Sequence, residues 1–269
     1  MIKKPIKSSS GQYLLNLGCG SIFSSEWNNL DLYHSKDVVY HDLNRGIPYA
    51  DNTFDAVYSS HVLEHFSREK GGFLIKEIFR VLKPGGLVRL VLPDLEGITK
   101  EYLKNLENYH KEPIEQNWQR YYWSLLELYD QTTRKVSGGE MLKTLRQGDV
   151  GWEYIASRVG DEFYDFYPWN KQKLNKIRIK RSLSQKVFNR LKSLFRSKDP
   201  EKIGELHKWM YDSASLSYLL KSCGFADINK TDWNVSKITG WVKYSFDESR
   251  DKNKPRKPDS FYMEAKKLI

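Results

Sequence analysis

Tyr13-Leu14-Leu15-Asn16-Leu17 is a short, nearly continuous apolar run that stops at Gly18-Cys19-Gly20. A run of that length reads as a strand buried on both faces, and the glycine pair as a tight turn leaving it. Most glycine pairs are only turns. The alternative is a turn whose backbone a ligand approaches so closely that a side chain would be in the way.

The residues that follow repeat the theme. Asn29-Leu30-Asp31-Leu32 and Val38-Val39-Tyr40 are short strand-like segments, and Asp51-Asn52-Thr53-Phe54 is turn material before a further buried strand at Asp55 to Ser59. Phe73, Leu74, Ile78, Val81 and Leu82 recur at helical spacing over residues 69–82, and Pro84-Gly85-Gly86 is expected to end that helix. Leu87 to Leu92 reads as a strand closed by Pro93. Strands alternating with helical segments argue for an α/β fold with a mostly parallel sheet. In such sheets ligands bind at the carboxyl ends of the strands. Gly18 and Gly20 fall at one such end, Asp31 at the next and Asp42-Leu43 at a third. There a carboxylate can accept both hydroxyls of a ribose, and an acid beside a backbone N–H can read an adenine edge.

The ordered set Leu15-Asn16-Leu17-Gly18-Cys19-Gly20, Asp31, Asp42-Leu43, Phe54-Asp55-Ala56-Val57, Val62-Leu63-Glu64-His65 and Leu82-Lys83-Pro84-Gly85-Gly86 resembles the class I S-adenosylmethionine (SAM)-dependent methyltransferases, in particular their small-molecule type 11 group. The resemblance covers residues 13–95 well and resumes more weakly at His207 to Phe225 and Pro258 to Lys267. It implies a Rossmann-like fold with SAM as cofactor. It also implies that Gly18 and Gly20 meet the methionine moiety, Asp31 the ribose, and Asp42 with Leu43 the adenine. Asn16, Cys19, Leu32, Ser59 and Ser60 complete the expected cofactor site. Three features depart from the pattern: Asn16 stands where an acid is frequent, and Ile22 where a third glycine is frequent. Only ten residues separate Gly20 from Asp31, fewer than the roughly dozen a helical crossover needs. The first crossover should therefore be a loop or a turn.

Methyl transfer to oxygen or nitrogen is an in-line displacement that needs alignment and often a base. Histidine suits the base role because it titrates near neutrality. His61, His65 and His207 all fall where strand tips are expected, and Asp94 follows Pro93 at another. Each has a plainer alternative: His65 as a loop anchor, Asp94 as a helix N-cap. His61-x-x-Glu64-His65 also has the residue types of a metal cluster. Spacing alone supplies no fourth ligand, so no metal is expected.

Residues 97–206 interrupt the sheet rhythm. Ile98, Tyr102, Leu103, Leu106 and Tyr109 fit one amphipathic helix and Trp118 to Tyr129 an aromatic second, followed by a region punctuated by Gly138, Gly139, Gly148 and Gly151 that reads as loop. The expected organisation is a methyltransferase domain of residues 1–96 plus 207–269 and a helical insertion of 97–206 acting as a lid. Its aromatics, among them Trp118, Tyr121, Tyr122, Trp123, Trp152, Tyr154, Phe163 and Tyr164, are core or the lining of an acceptor pocket. After it, Tyr211-Asp212-Ser213 looks like a helix start and Gly224 its stop. Ile228 to Trp233 and Phe261 to Ala265 are candidate closing strands.

The net charge of +10 comes from one place. Residues 171–198 hold eleven Lys and Arg with no acid, which leaves the rest of the chain at −1. A nucleic-acid-binding fold more often spreads its charge over a face, so nucleic acid is not the expected partner. Within the segment, Leu183, Val187, Phe188, Leu191, Leu194 and Phe195 share a helical face. That pattern fits either packing on the parent domain or an anionic membrane surface. Cys19 and Cys223 are too few and too far apart for a disulfide framework. Met1 to Gly11 lacks the apolar core of a signal peptide, and no apolar run approaches the roughly 20 residues of a membrane span. A cytoplasmic enzyme is expected, with possible attachment to the inner membrane face. The favoured reaction is transfer of a methyl group to a hydroxyl of a small molecule or glycan. RNA or peptide methylation, and SAM binding without catalysis, are the alternatives.

Overall fold

The computed structural model describes residues 4–148, 151–166 and 204–268. Seven strands form one sheet: β1 (Leu14–Leu17), β2 (Asn28–Asp31), β3 (Val38–Tyr40), β4 (Phe54–Ser60), β5 (Leu82–Pro93), β6 (Phe225–Thr231) and β7 (Ser260–Lys267). Their order is β3-β2-β1-β4-β5-β7-β6, with β7 alone antiparallel to its neighbours. This is the mostly parallel Rossmann-like sheet that the sequence implies. The order reverses between β1 and β4, which places the crevice of the sheet at the carboxyl ends of those two strands.

Side chains alternate across the sheet with the period of a strand. Leu15, Leu17, Val57, Val88 and Leu90 face α1 (Arg68–Val81), which contributes Leu74, Ile75, Ile78 and Val81 to the core on that side. The last described helix, α7 (Ser213–Ser222), adds Leu216 and Leu220. It starts at the expected place because Asp212 accepts the amide of Ser215 while the Ser215 side chain bonds back, a reciprocal cap.

The opposite face is built differently. Residues 18–27 contain turns and no helix, as the short crossover demands. The connection between β6 and β7 covers that face instead. Its Ile238, Trp241 and Phe246 pack with Leu14, Trp27, Ala56, Tyr58, Val91 and Tyr262.

Two expectations are corrected. The helix over residues 68–81 ends at Val81, before Pro84-Gly85-Gly86. Those residues form a bulge within β5: Phe54 pairs with Leu82, but Ala56 pairs with Leu87. Gly85 has φ +80°, and a Cβ on Gly86 would lie 2.9 Å from the Lys83 carbonyl oxygen, so both glycines serve the bulge. The glycine-punctuated region is not loop. It holds α4 (Gly139–Gln147) and α5 (Trp152–Val159), and Gly138 and Gly148 flank α4 in the left-handed conformation.

The chain divides into two compact units, residues 1–100 with 207–269, and residues 101–206. The helix α2 (Leu95–Lys111) leads from one into the other. Within the second unit, α3 (Glu115–Thr133), α4, α5 and α6 (Asp161–Phe166) enclose a core of Trp123, Leu126, Met141, Leu145, Ile155 and Phe163. Glu127 is buried there and accepts from Trp123 Nε1 at 2.8 Å and Arg158 Nη2 at 2.8 Å. Trp118 and Trp152 are exposed on its surface. The basic segment 171–198, with Tyr167 and Trp169, lies outside the described residues.

Candidate active site

β1 runs directly into Gly18, at φ +61°, where a Cβ would lie 2.3 Å from Val62 Cγ2. The Gly18 and Cys19 amides both donate to the Leu30 carbonyl, at 2.8 and 3.2 Å, which fixes the turn over the end of β2. Gly20 follows at φ +52°, and a Cβ there would meet nothing within 4 Å. Its amide donates to Asp31 Oδ2 at 2.7 Å, and the Tyr33 hydroxyl donates to its carbonyl. Glycines at both positions are thus required by backbone conformation. The backbone of Gly20 borders open space, which suits the close approach of a cofactor's methionine moiety. Asp31 ends β2 with one oxygen on the turn and the other uncommitted to that bond.

Asp42 follows β3 and caps the short 3-10 turn Leu43–Arg45, accepting from the Asn44 amide at 3.0 Å and Asn44 Nδ2 at 2.9 Å. Leu43 points into the core, so only its backbone is offered to a ligand. Leu32 is exposed just beyond Asp31. Asn16, Cys19 and Ser59 are buried. Asn16 Nδ2 donates to the Ile22 carbonyl at 3.0 Å and Asn29 Oδ1 at 3.2 Å, which ties the helix-less crossover to β1. The Asn16 side chain is therefore framework for the turn. Ser59 Oγ is 3.4 Å from the Leu17 carbonyl, and Ser60 is half-buried at the tip of β4.

Beyond β4 the chain enters a second cluster. His61 adopts φ +53°, and its amide donates to the Val91 carbonyl at 2.9 Å. Its Nε2 is 2.8 Å from Ser260 Oγ and its Nδ1 is 3.3 Å from Glu64 Oε1. Burial, then the nearby positive charge of Lys257, holds His61 well below the usual histidine range. With both ring nitrogens facing protein groups, His61 is placed to hold its neighbours.

Glu64 and His65 sit in the 3-10 turn Leu63–His65. The Glu64 side chain is 1% exposed, and His65 Nε2 lies 4.0 Å from Glu64 Oε1. The Glu64 carbonyl accepts the amides of Lys208 at 2.7 Å and Trp209 at 3.2 Å. That pairing draws a segment more than a hundred residues away across the strand tips. It brings the His207 ring to 5.0 Å from the His65 ring, edge to face. One donor atom from each of Glu64, His65 and His207 lies within 4.8 Å of the others. The Tyr211 hydroxyl is buried near this group and has no hydrogen-bond partner among the described residues. Burial, and then the Glu64 charge, pushes its pKa up to about 12.

Asp94 lies immediately before α2 and forms a parallel bridge with Tyr211. Its Oδ2 is 3.7 Å from Lys230 Nζ, and its carbonyl accepts the Ile98 amide at 2.8 Å.

The structure thus joins His61, His65 and His207. The sequence reading did not choose Glu64, Tyr211, Ser260 or Tyr33. Glu64 had a signal in its place between two histidine candidates. Tyr211 and Ser260 had none, because only the fold brings them to the tip of β4.

Residues 25–90 match the family model described as a methyltransferase domain. Demethylmenaquinone methyltransferases from two strains of Corynebacterium glutamicum are each 31% identical over 119 residues, covering 41% of this chain and 49% of the relative. The chain spans about half the length of the curated relatives it matches. Among solved structures, a SAM-dependent methyltransferase from Archaeoglobus fulgidus is 14% identical with a TM-score of 0.38, over 95% of this chain and 86% of that one. One from Methanosarcina mazei is 13% identical with a TM-score of 0.41, over 100% and 95%.

Proposed function

We propose that this chain, which carries a class I methyltransferase domain, transfers a methyl group from SAM to a hydroxyl of a small molecule or glycan. The observation that carries the reading is the arrangement at the crevice. A glycine turn braced by Asp31 stands at the end of β1, and a group of buried Glu64 and His207 with partly exposed His65 stands beyond the end of β4, the neighbouring strand.

The residues present fit the cofactor. Gly18 and Gly20 keep side chains off the turn, Asp31 offers a carboxylate oxygen to a ribose, and Asp42 with the Leu43 amide offers one acceptor and one donor to an adenine edge. When bound, SAM supplies an electrophilic methyl group. The chain's own residues then have two tasks. The first is to hold the acceptor oxygen in line with that group, which accounts for much of the rate in such displacements. The second is to relieve the hydroxyl of its proton, the task of the histidine group. In this reading the insertion contributes to acceptor choice.

A second reading is methylation of a ring carbon. The 31% match to demethylmenaquinone methyltransferases favours it, and loss of a phenolic proton at the same group would activate such a ring. Calorimetry with SAM, followed by labelled-methyl transfer to panels of hydroxylated aromatics and sugars, tests the proposal. Mass spectrometry of the product then locates the methyl on oxygen or carbon. SAM binding without transfer to any acceptor would favour a non-catalytic partner protein. Transfer to RNA or peptide alone would replace the acceptor class.

A further inference from the structure

We propose that Glu64, His65 and His207 form the binding site of a first-row divalent transition-metal cation, with one coordination position left for the acceptor's oxygen. This rests on the reading above of the same strand tips.

The geometry is that of a site needing only small adjustment. Donor atoms of the three side chains lie within 4.8 Å of one another. A tetrahedral zinc site, with bonds of about 2.0–2.2 Å, keeps its ligand atoms roughly 3.4 Å apart. His65 retains partial exposure while Glu64 is enclosed, so a cation would be held from inside and approached from outside.

The donor set selects the kind of ion. Two imidazoles and one carboxylate suit zinc, manganese, iron or cobalt, whereas magnesium and calcium prefer oxygen alone. Three protein ligands leave a fourth position open, as in catalytic zinc sites. With the cation bound, His65 and His207 serve as its ligands, and a hydroxyl held there gives up its proton to water rather than to either imidazole, as metal-bound water does.

Two further groups have places in such a site. His61 directs Nδ1 at Glu64 Oε1 across 3.3 Å while Ser260 Oγ holds its Nε2 at 2.8 Å. Metal ligands are commonly oriented by a hydrogen-bonded partner of this sort. The left-handed backbone at His61 aims the ring there. The buried Tyr211 hydroxyl, without a partner among the described residues, is available to a water or ligand on the cation. His207 is the ligand that sequence spacing could not supply. It arrives through the pairing of residues 208 and 209 with the Glu64 carbonyl.

The test uses the untagged full chain, stripped with a chelator and titrated separately with Zn²⁺, Mn²⁺ and Mg²⁺ by calorimetry. One equivalent of Zn²⁺ or Mn²⁺ should bind, with Mg²⁺ weaker. Glu64→Gln and His207→Ala should each lower Zn²⁺ affinity by at least about 100-fold, and His61→Asn by about 10–100-fold. Absence of one-to-one binding by a folded chain, or unchanged affinity in Glu64→Gln and His207→Ala, overturns the proposal. Should those variants fail to fold, the imidazole NMR signals of the unaltered chain decide. Zn²⁺ should shift His65 and His207 and leave His34, His41 and His110 in place. If His65 and His207 do not move, the site is wrong. A parallel SAM titration separates the two readings: Zn²⁺ bound without SAM removes the methyltransferase function alone, and SAM bound without any of the three ions removes the metal alone.

Discussion

Arg89 and Asp247 meet as an enclosed ion pair, Nε donating to Oδ2 at 2.8 Å with side chains 0% and 2% exposed. Arg89 also donates to Glu264 Oε1 at 3.1 Å and to the carbonyls of Asp232, Trp233 and Val235. One central-strand side chain thereby ties the start and middle of the β6–β7 connection to β7 itself. That connection covers the sheet face on which the β1–β2 crossover contributes no helix. Removing one partner leaves the other charge buried, which costs about 3–5 kcal/mol. Asp247→Ala should therefore lose about that much in urea-unfolding stability. A loss below about 1 kcal/mol would show that the connection is held by its apolar contacts alone.

The cofactor site gives a prediction of affinity. Asp31 braces Gly20 at 2.7 Å, and the proposed cofactor site gives it the ribose. Hydrogen bonds to a charged group contribute about 1.5–3 kcal/mol each, so Asp31→Ala should weaken SAM binding at least about tenfold. Calorimetry reads this directly. Equal affinity in wild type and variant would mean that the end of β2 does not touch the cofactor.

Chemistry should separate from binding at His207. His207→Ala should keep SAM affinity near wild type while turnover on the true acceptor falls roughly 100-fold or more. Full turnover in this variant, and also in His61→Ala, would move the acid–base role to Asp94, which is bridged to Tyr211 at the start of α2.

The sheet was legible in the sequence because buried parallel strands are short apolar runs ended by glycine or acid, and those signals are local. The glycine turn, Asp31 and Asp42 lie at strand ends for the same reason. The missing crossover helix was also legible, since ten residues cannot span the sheet as a helix. What covers that face was not. Arg89 reads as a charge in an apolar strand, and its partners sit 143 to 175 residues away. Pro84-Gly85-Gly86 misled because helix stops and strand bulges use the same residues. His61 and His65 were found by type and place, but Tyr211 joins them only through long-range pairing.

Acid should loosen one surface tie. Glu26 is held at a pKa of about 2 against an ordinary 4.5, first by the hydrogen bond from Lys243 and then by that from Ser9. The folded chain thus binds fewer protons at this site than the unfolded chain. Its stabilising contribution is complete above the unfolded value and is lost as pH falls from about 5 toward about 2. Urea midpoints measured across that window should fall more steeply for wild type than for Glu26→Gln. Parallel curves would show that the tie among Ser9, Glu26 and Lys243 adds nothing to stability.

The basic segment yields the last test. In its sequence, eleven positive charges accompany Leu183, Val187, Phe188, Leu191, Leu194 and Phe195 at spacings of three and four, a pattern suited to the interface of an anionic membrane. Each basic residue near such a surface contributes about 1 kcal/mol and is screened by salt. Among the described residues no helix is long and apolar enough to cross a membrane. Sedimentation with phosphatidylserine vesicles should carry the chain down at low salt and release it at high salt, while neutral phosphatidylcholine vesicles should not. Equal and negligible sedimentation with both vesicles at low salt would remove the membrane role, and the apolar face would then belong against the chain's own core or a protein partner.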